Sequence, residues 1–399
     1  MRKRRVASLL LSGMMMFAAL TGCGSGSSES QKQSSAQTGA VQSSSGKESE
    51  SKGNDIMDNV KLLGRTYKAD DGSLWMGLSG TGAELEFTGS KLSVTLKGST
   101  DIADKTARGG VFVDNEKKED ICVGTAEQTV DIDGKGSEAV SVRIIKLSEC
   151  SASCCAITAI DAHGGQIKKA ADKARRIEFV GDSITCGYGV DDYDLTHGFA
   201  TATEDCTKAY AYKTAQALGA DYSLVSYSGY GIVSGFTDSG VKNTSGLVPP
   251  YYDYYGFTEN GGFGSSDPSQ LKWDSSAFKP DVVVIFLGTN DISYTGYDEQ
   301  RCGEFTQKYI EFLKQVRANN ADAKIVCTLG TMGTVLFGGM QEAVRQYSQE
   351  TGDSNVTTLE LPVQDVTADG MTINGHPTEK TYDKVSALLA DKIKTEMGW

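Results

Sequence analysis

The feature that most constrains this chain is a change of sequence period near residue 173. Beyond Arg175, short apolar runs alternate with stretches of helical spacing, and strands separated by helices return parallel rather than as hairpins. Strands are expected at residues 176–180, 222–225, 282–287, 324–329 and 356–359. Helices are expected at 208–218, 302–319, 339–350 and 377–395, the last with Tyr382, Val385, Leu388, Leu389 and Ile393 on one face. Residues 173–399 therefore read as an α/β domain with a parallel sheet between helices. Residues 55–172 instead alternate with period two, in runs at 85–87, 91–96, 110–114, 129–132 and 140–145 broken by Gly, Asp, Asn and Ser. Closely spaced short strands of this kind predict a β-sandwich, jelly-roll in type. Trp75 within it is read as core in preference to a sugar-stacking platform.

Ahead of both domains, residues 2–5 are basic, 6–20 form an apolar run too short for an ordinary membrane span, and Leu20-Thr21-Gly22-Cys23 closes it. Residues 1–23 look like a bacterial lipoprotein signal peptide with a lipobox. Cys23 would then be lipidated, and would be the sole attachment to the outer face of the cell membrane. An ordinary secretory leader is the competing reading. Residues 24–54, rich in Ser and Gly with little that is apolar, are expected to be a disordered tether. The net charge of −13 becomes −17 once the four cations at 2–5 are removed, which argues against nucleic acid as a partner. Eight further cysteines permit disulfides in an exported chain, and Cys150, Cys154 and Cys155 are close enough to invite one. Cys327 belongs instead to an apolar strand. The three histidines, His163, His197 and His376, have no zinc-ligand spacing with cysteine, and no metal is expected.

Within the second domain, Ile177-Glu178-Phe179-Val180-Gly181-Asp182-Ser183-Ile184-Thr185 reads as a buried strand running into a tight turn. Ser183 thus stands at a strand's carboxyl end, where open α/β sheets hold their ligands. It is a candidate nucleophile if a base and an oxyanion hole reach it. His163 falls between the domains and His197 in a polar insertion. His376, in Asn374-Gly375-His376-Pro377-Thr378, is placed at the cap of the last helix by Pro377 and can reach the sheet's carboxyl edge. Two turns at strand ends offer oxyanion donors. Gly229, in Ser226-Tyr227-Ser228-Gly229-Tyr230-Gly231, lets a backbone N–H approach a ligand. Asn290, in Gly288-Thr289-Asn290-Asp291, emerges at the same edge, while Asp291 is suited to cap a following turn. The long aromatic interruption at 248–273 carries Tyr251, Tyr252, Tyr254, Tyr255 and Trp273, which either shape a sugar subsite or pack the loop.

These residues resemble the SGNH (GDSL-like) hydrolases, whose four naming residues match Ser183, Gly229, Asn290 and His376 in order. The run from Gly181 to Gly189, Thr203-Glu204-Asp205 and Pro280-Asp281-Val282-Val283-Val284-Ile285, behind a jelly roll, are similar to carbohydrate esterase family 2 from about Gly64 onward. The resemblance implies a three-layer α/β/α catalytic domain, no cofactor, and a monomer acting on acetylated polysaccharide or oligosaccharide. Ser183 would be the nucleophile and His376 the base, with the oxyanion held by Ser183, Gly229 and Asn290. The implied reaction removes O-acetyl groups from xylan- or glucomannan-type wall polysaccharide through an acyl-enzyme. Peptidoglycan or another small ester is the alternative substrate, and a tethered glycan-binding lipoprotein is the non-enzymatic alternative. One departure stands out. The superfamily usually has an aspartate three residues before the histidine, and here that position is Ile373. Asp369 is out of register and Asn374 lacks the charge. Some family 2 members work with a Ser–His dyad whose histidine is held by a backbone carbonyl, and this sequence fits that pattern.

Overall fold

The structure, a computed structural model, describes residues 57–399. The leader, Cys23 and the tether lie outside the described residues. The first domain is a nine-stranded sheet, antiparallel throughout. Its strands are β1 Lys61–Leu63, β2 Tyr67–Lys68, β3 Leu74–Met76, β4 Gly82–Gly98, β5 Ala107–Val113, β6 Glu116–Val123, β7 Gln128–Lys146, β8 Cys155–Asp161 and β9 Gln166–Lys169. The short runs expected at 85–87 and 91–96 are both part of β4, and those at 129–132 and 140–145 are both part of β7. Alternation breaks where β4 and β7 bend together at Gly89 and Gly136, with shifts of register. A Cβ on Gly134 would lie 2.2 Å from the Gly89 carbonyl oxygen, so only glycine allows this approach. Leu85, Phe87, Leu92, Val94, Val140, Val142 and Ile144 fill the sandwich interior. Trp75 is core, stacked on Phe263. His163 sits in the β8–β9 turn rather than between the domains, with Nε2 2.7 Å from Ser93 Oγ.

The second domain has five parallel strands, β10 Arg175–Gly181, β11 Ala220–Ser226, β12 Val282–Phe286, β13 Lys324–Thr331 and β14 Val356–Val363, in the order β11-β10-β12-β13-β14. β10 from Ile177 on, β11 and β12 are buried throughout, and β13 is buried beyond Lys324, as strands covered on both faces must be, whereas the edge strand β14 buries only Val356 and Leu361. The helices are α1 Ser183–Cys186, α2 Tyr210–Ala217, α3 Ile292–Thr295, α4 Glu299–Asn319, α5 Phe337–Thr351 and α6 Glu379–Met397. α2 packs on α6, and α4 packs on α5. The chain steps from β10 out to β11 and then returns past β10 to β12. The carboxyl end of β10 is therefore the switch point of the sheet, which opens a crevice there.

Two local expectations change. α6 begins at Glu379 with Thr378 at its N-cap, so His376 precedes the cap by two residues instead of occupying it. Asp291 stands at the N-cap of α3 without a capping bond, because its carboxylate is turned elsewhere. The eight cysteines among the described residues are free, and the Cys150 and Cys154 sulfurs lie 4.0 Å apart in the core. No helix among the described residues is long and apolar enough to cross a membrane.

Candidate active site

Ser183 is the first residue of α1, immediately beyond β10. Asp182 caps that turn, its carboxylate accepting the Ile184 N–H at 3.0 Å. Ser183 Oγ lies 2.8 Å from His376 Nε2, and His376 Nδ1 lies 3.3 Å from the Ile373 carbonyl oxygen. A carbonyl can only accept, so the proton belongs on Nδ1, and Nε2 is left to receive the serine hydroxyl. Thr372, Asn374 and Gly375 bend the chain that delivers the histidine. Thr372 N–H donates to the His376 carbonyl at 2.9 Å, and Asn374 adopts a left-handed φ of 52°. Burial lowers the His376 pKa to about 4, against the pull of the Ile373 and Asn374 carbonyls, so the ring is neutral at pH 7.

Ile373, at the position usual for aspartate, points its side chain away into the core and offers its backbone carbonyl instead. Asp369 is engaged with Lys384, and Asn374 donates from Nδ2 to the Tyr188 hydroxyl at 2.8 Å. His197 is exposed and paired with Asp192.

Gly229 lies beyond β11 at φ 80°, and a Cβ there would meet nothing within 4 Å. Glycine is required by conformation, and its surroundings are open. The backbone N–H groups of Ser183 and Gly229 have no acceptor among the described residues. Asn290 sends its amide toward the same edge, donating to the Tyr230 carbonyl at 2.8 Å and more weakly to Asp182 at 3.3 Å. Asp182 is fully buried, and burial with the nearby charge of Asp291 raises its pKa to about 7. Asp291 holds the loop after Gly229, accepting the N–H groups of Ile232, Val233 and Ser234.

A cavity of about 310 Å³ adjoins this group, lined by Lys105, Glu149, Ser151 and Ala152 of the first domain and by Tyr188, Phe199, Ser228, Tyr230 and Glu259 of the second. Of the aromatic residues expected to bind sugar, none lines it. Tyr251 packs behind it on Tyr230 and Phe257. Tyr252 is buried, its hydroxyl donating to Glu178 at 2.6 Å. The Tyr252 and Tyr254 carbonyls accept from Arg65, and Trp273 lies beside the Arg65 guanidinium. Tyr255 packs on Tyr67, Phe263 and Trp273. These four serve the seam with the sandwich, because aromatic content marks burial as readily as it marks a sugar platform. Tyr188, Phe199 and Tyr230 are the rings that face the cavity. Tyr188 follows Ser183 by five residues, a proximity that could have singled it out. Among the described residues, no group of three His, Cys, Asp or Glu side chains is arranged to hold a metal ion.

Residues 179–384 match the GDSL-like lipase/acylhydrolase family, and residues 62–170 match the carbohydrate esterase 2 N-terminal family. The chain is 30% identical over 354 residues to the cellulase/esterase CelE of Acetivibrio thermocellus, a match covering 86% of this chain and 40% of that protein. It therefore spans less than half the length of that relative. It is 26% identical over 344 residues to an acetylxylan esterase / glucomannan deacetylase of Cellvibrio japonicus, over 86% of this chain and 90% of that one. A family two carbohydrate esterase from Clostridium thermocellum, solved in complex with cellohexaose, superposes with a TM-score of 0.74 at 28% identity, over 85% of this chain and 99% of that chain.

Proposed function

Because the chain belongs to the GDSL-like lipase/acylhydrolase family, we propose that it is a serine esterase that removes O-acetyl groups from hemicellulose of the xylan or glucomannan type. One observation carries the reading. Ser183 Oγ, His376 Nε2 and the Ile373 carbonyl stand in line at 2.8 and 3.3 Å, beside the open backbone at Gly229. The relatives' names, esterase, acetylxylan esterase and glucomannan deacetylase, support the substrate class.

In the proposed reaction, Ser183 Oγ attacks the acetyl carbonyl carbon while His376 Nε2 takes the hydroxyl proton. The carbonyl oxygen becomes an oxyanion, received by the N–H groups of Ser183 and Gly229. The second amide hydrogen of Asn290 joins them, leaving its weaker bond to Asp182. One such donor is worth about 3–4 kcal/mol of transition-state stabilisation. His376 then returns its proton to the departing sugar oxygen, and an acetyl-serine remains. Water, deprotonated by the same Nε2, attacks that ester, and acetate leaves as Ser183 recovers its proton. The Ile373 carbonyl fixes the tautomer, as a carboxylate would, without supplying charge to the imidazolium. The cavity's Tyr188, Phe199 and Tyr230 offer faces to the sugar, and its Glu259 carboxylate offers acceptors to hydroxyls.

We also infer that Cys23 is acylated and tethers the enzyme to the outer face of the membrane. Incorporation of labelled palmitate that survives Cys23→Ala would overturn that assignment. For the reaction, acetate release is measured from acetylated xylan, glucomannan and peptidoglycan. The first two are expected to be cleaved and Ser183→Ala to abolish release; retention of the glycan without acetate release would make the protein a binding module instead.

A further inference from the structure

We propose that Glu149, a residue of the N-terminal sandwich, positions the loop that presents the Gly229 N–H, so that the oxyanion hole is assembled across both domains. The inference rests on the reading of Gly229 as an oxyanion donor.

Glu149 lies between β7 and β8 and is 2% exposed. Its Oε2 accepts the backbone N–H of Ser228 at 2.9 Å, the residue immediately before Gly229. The same oxygen accepts the Ser151 hydroxyl. Glu149 is itself clamped at both ends of its backbone. Its N–H donates to Glu204 Oε2 at 2.7 Å, and its carbonyl accepts the fully buried Lys146 ammonium at 2.8 Å. Both Glu149 and Ser228 line the 310 Å³ cavity, together with Tyr188, whose ring stacks on His376. β11 ends at Ser226 and the chain must turn before Gly229, so an anchored Ser228 N–H fixes the peptide that follows. No second-domain carboxylate bonds the Ser228 N–H among the described residues.

A second observation fits this role. Glu204 is fully buried, and its Oε1 has no hydrogen-bond partner among the described residues. Burial and the facing carboxylate of Glu149 raise its pKa. A carboxylate so near a forming oxyanion disfavours it by charge, and the arrangement makes sense if its purpose is the hydrogen bond. Glutamine, which keeps an acceptor and drops the charge, is the natural control.

The full chain is assayed on an aryl acetate and titrated with an arylboronic acid, which forms a tetrahedral adduct with an active serine. Glu149→Gln is expected to keep kcat within about threefold of the parent. Glu149→Met keeps volume but removes the acceptor, and is expected to lower kcat by about tenfold to a hundredfold. KM should change little, and boronate affinity should fall by the same factor as kcat. Equal losses in the two variants, or an undiminished kcat in Glu149→Met, overturn the inference. Should the Met variant not fold, amide exchange at Ser228 decides: protection in the parent and in Glu149→Gln supports the bond, and exchange at an unprotected rate overturns it. A parent protein no more active than Ser183→Ala sinks the esterase reading and this inference together, whereas an active parent with an indifferent Glu149→Met sinks this inference alone.

Discussion

The ring of Tyr188 lies over the ring of His376, with centroids 4.3 Å apart and planes 28° from parallel. Phe199 backs Tyr188 in turn at 4.4 Å, and the Lys105 ammonium of the first domain rests 5.5 Å from the Phe199 centroid. The histidine thus has an aromatic wall on one face and the serine hydroxyl at its edge. This wall is much of what removes the imidazole from water and holds its pKa near 4.

A base that must be neutral works down to its own pKa. The acid limb of kcat/KM is therefore expected near pH 4, below the 6.5 of an ordinary histidine. Tyr188→Ala opens the ring to solvent and raises its pKa toward that value. Protonation then sets in at higher pH, so the variant loses activity at pH 5, where the parent keeps it. Its kcat at pH 8 should fall about tenfold as the ring loses its support. Tyr188→Phe keeps the stack, losing the bond from Asn374, and should stay within a few-fold of the parent. An identical acid limb in parent and Tyr188→Ala would refute the role of the wall.

The Ile373 carbonyl depends on where the Ile373 side chain goes. That side chain fills the space over Gly189, where a Cβ would come within 2.3 Å of Ile373 Cγ1, and where φ is already 58°. Gly189→Ala must displace Ile373 and with it the acceptor of His376 Nδ1. We expect a loss of kcat of at least about tenfold on an aryl acetate with KM nearly unchanged. Ile373→Asp, which restores the residue type usual for the superfamily, should fail as a repair. Its carboxylate would enter a fully buried apolar site facing Gly189, not the imidazole, and lower the melting temperature. Higher activity in Ile373→Asp would show that the side chain can reach the ring.

What could be read from the sequence follows from where each signal resides. Ser183, Gly229 and Asn290 each stand in a turn directly after an apolar run, so local pattern located them at one sheet edge. His376 was found by elimination among three histidines and by its place ahead of the last helix. The same reasoning put it on the cap, since proline suits a first turn, yet the helix starts at Glu379. Glu149 and Lys105 were invisible because they reach the cleft from the other domain. That is a long-range fact without local period. The continuity of β4 and β7 was hidden for a related reason, as the glycines that allow the bend also erase the alternation.

Asp291 supports the loop of Gly229 from below. Its Oδ1 accepts the N–H groups of Ile232, Val233 and Ser234 at 3.0, 2.6 and 3.0 Å in a fully buried site. Asp291→Ala leaves three buried donors without an acceptor, each costing about 1–3 kcal/mol. A destabilisation of about 3 kcal/mol or more is expected in urea unfolding, together with lower kcat. Asp291→Asn can present Oδ1 to the same three donors, and should cost about 1 kcal/mol. A loss in Asp291→Ala no larger than in Asp291→Asn would mean that the loop satisfies its own backbone.

The seam between the domains contains a buried ion pair. Arg65, between β1 and β2, is 2% exposed; its Nη2 lies 3.2 Å from Oε2 of Glu178, a β10 residue that is itself 3% exposed. The guanidinium also donates to the Tyr252 and Tyr254 carbonyls and lies 5.3 Å from the Tyr252 ring centroid, while the Tyr252 hydroxyl donates to Glu178 Oε1. Removing one member of such a pair strands the other charge away from water, at a cost of about 3–5 kcal/mol. Arg65→Met should therefore lower stability by that amount in urea unfolding. Arg65→Met/Glu178→Gln, which removes both charges and keeps an acceptor for Tyr252, should recover at least about half of it. If the double variant is no more stable than Arg65→Met, the loss comes from the Tyr252 and Tyr254 carbonyls and not from the stranded carboxylate. In either case the Tyr252–Tyr254 stretch of the aromatic loop is held by Arg65 of the first domain.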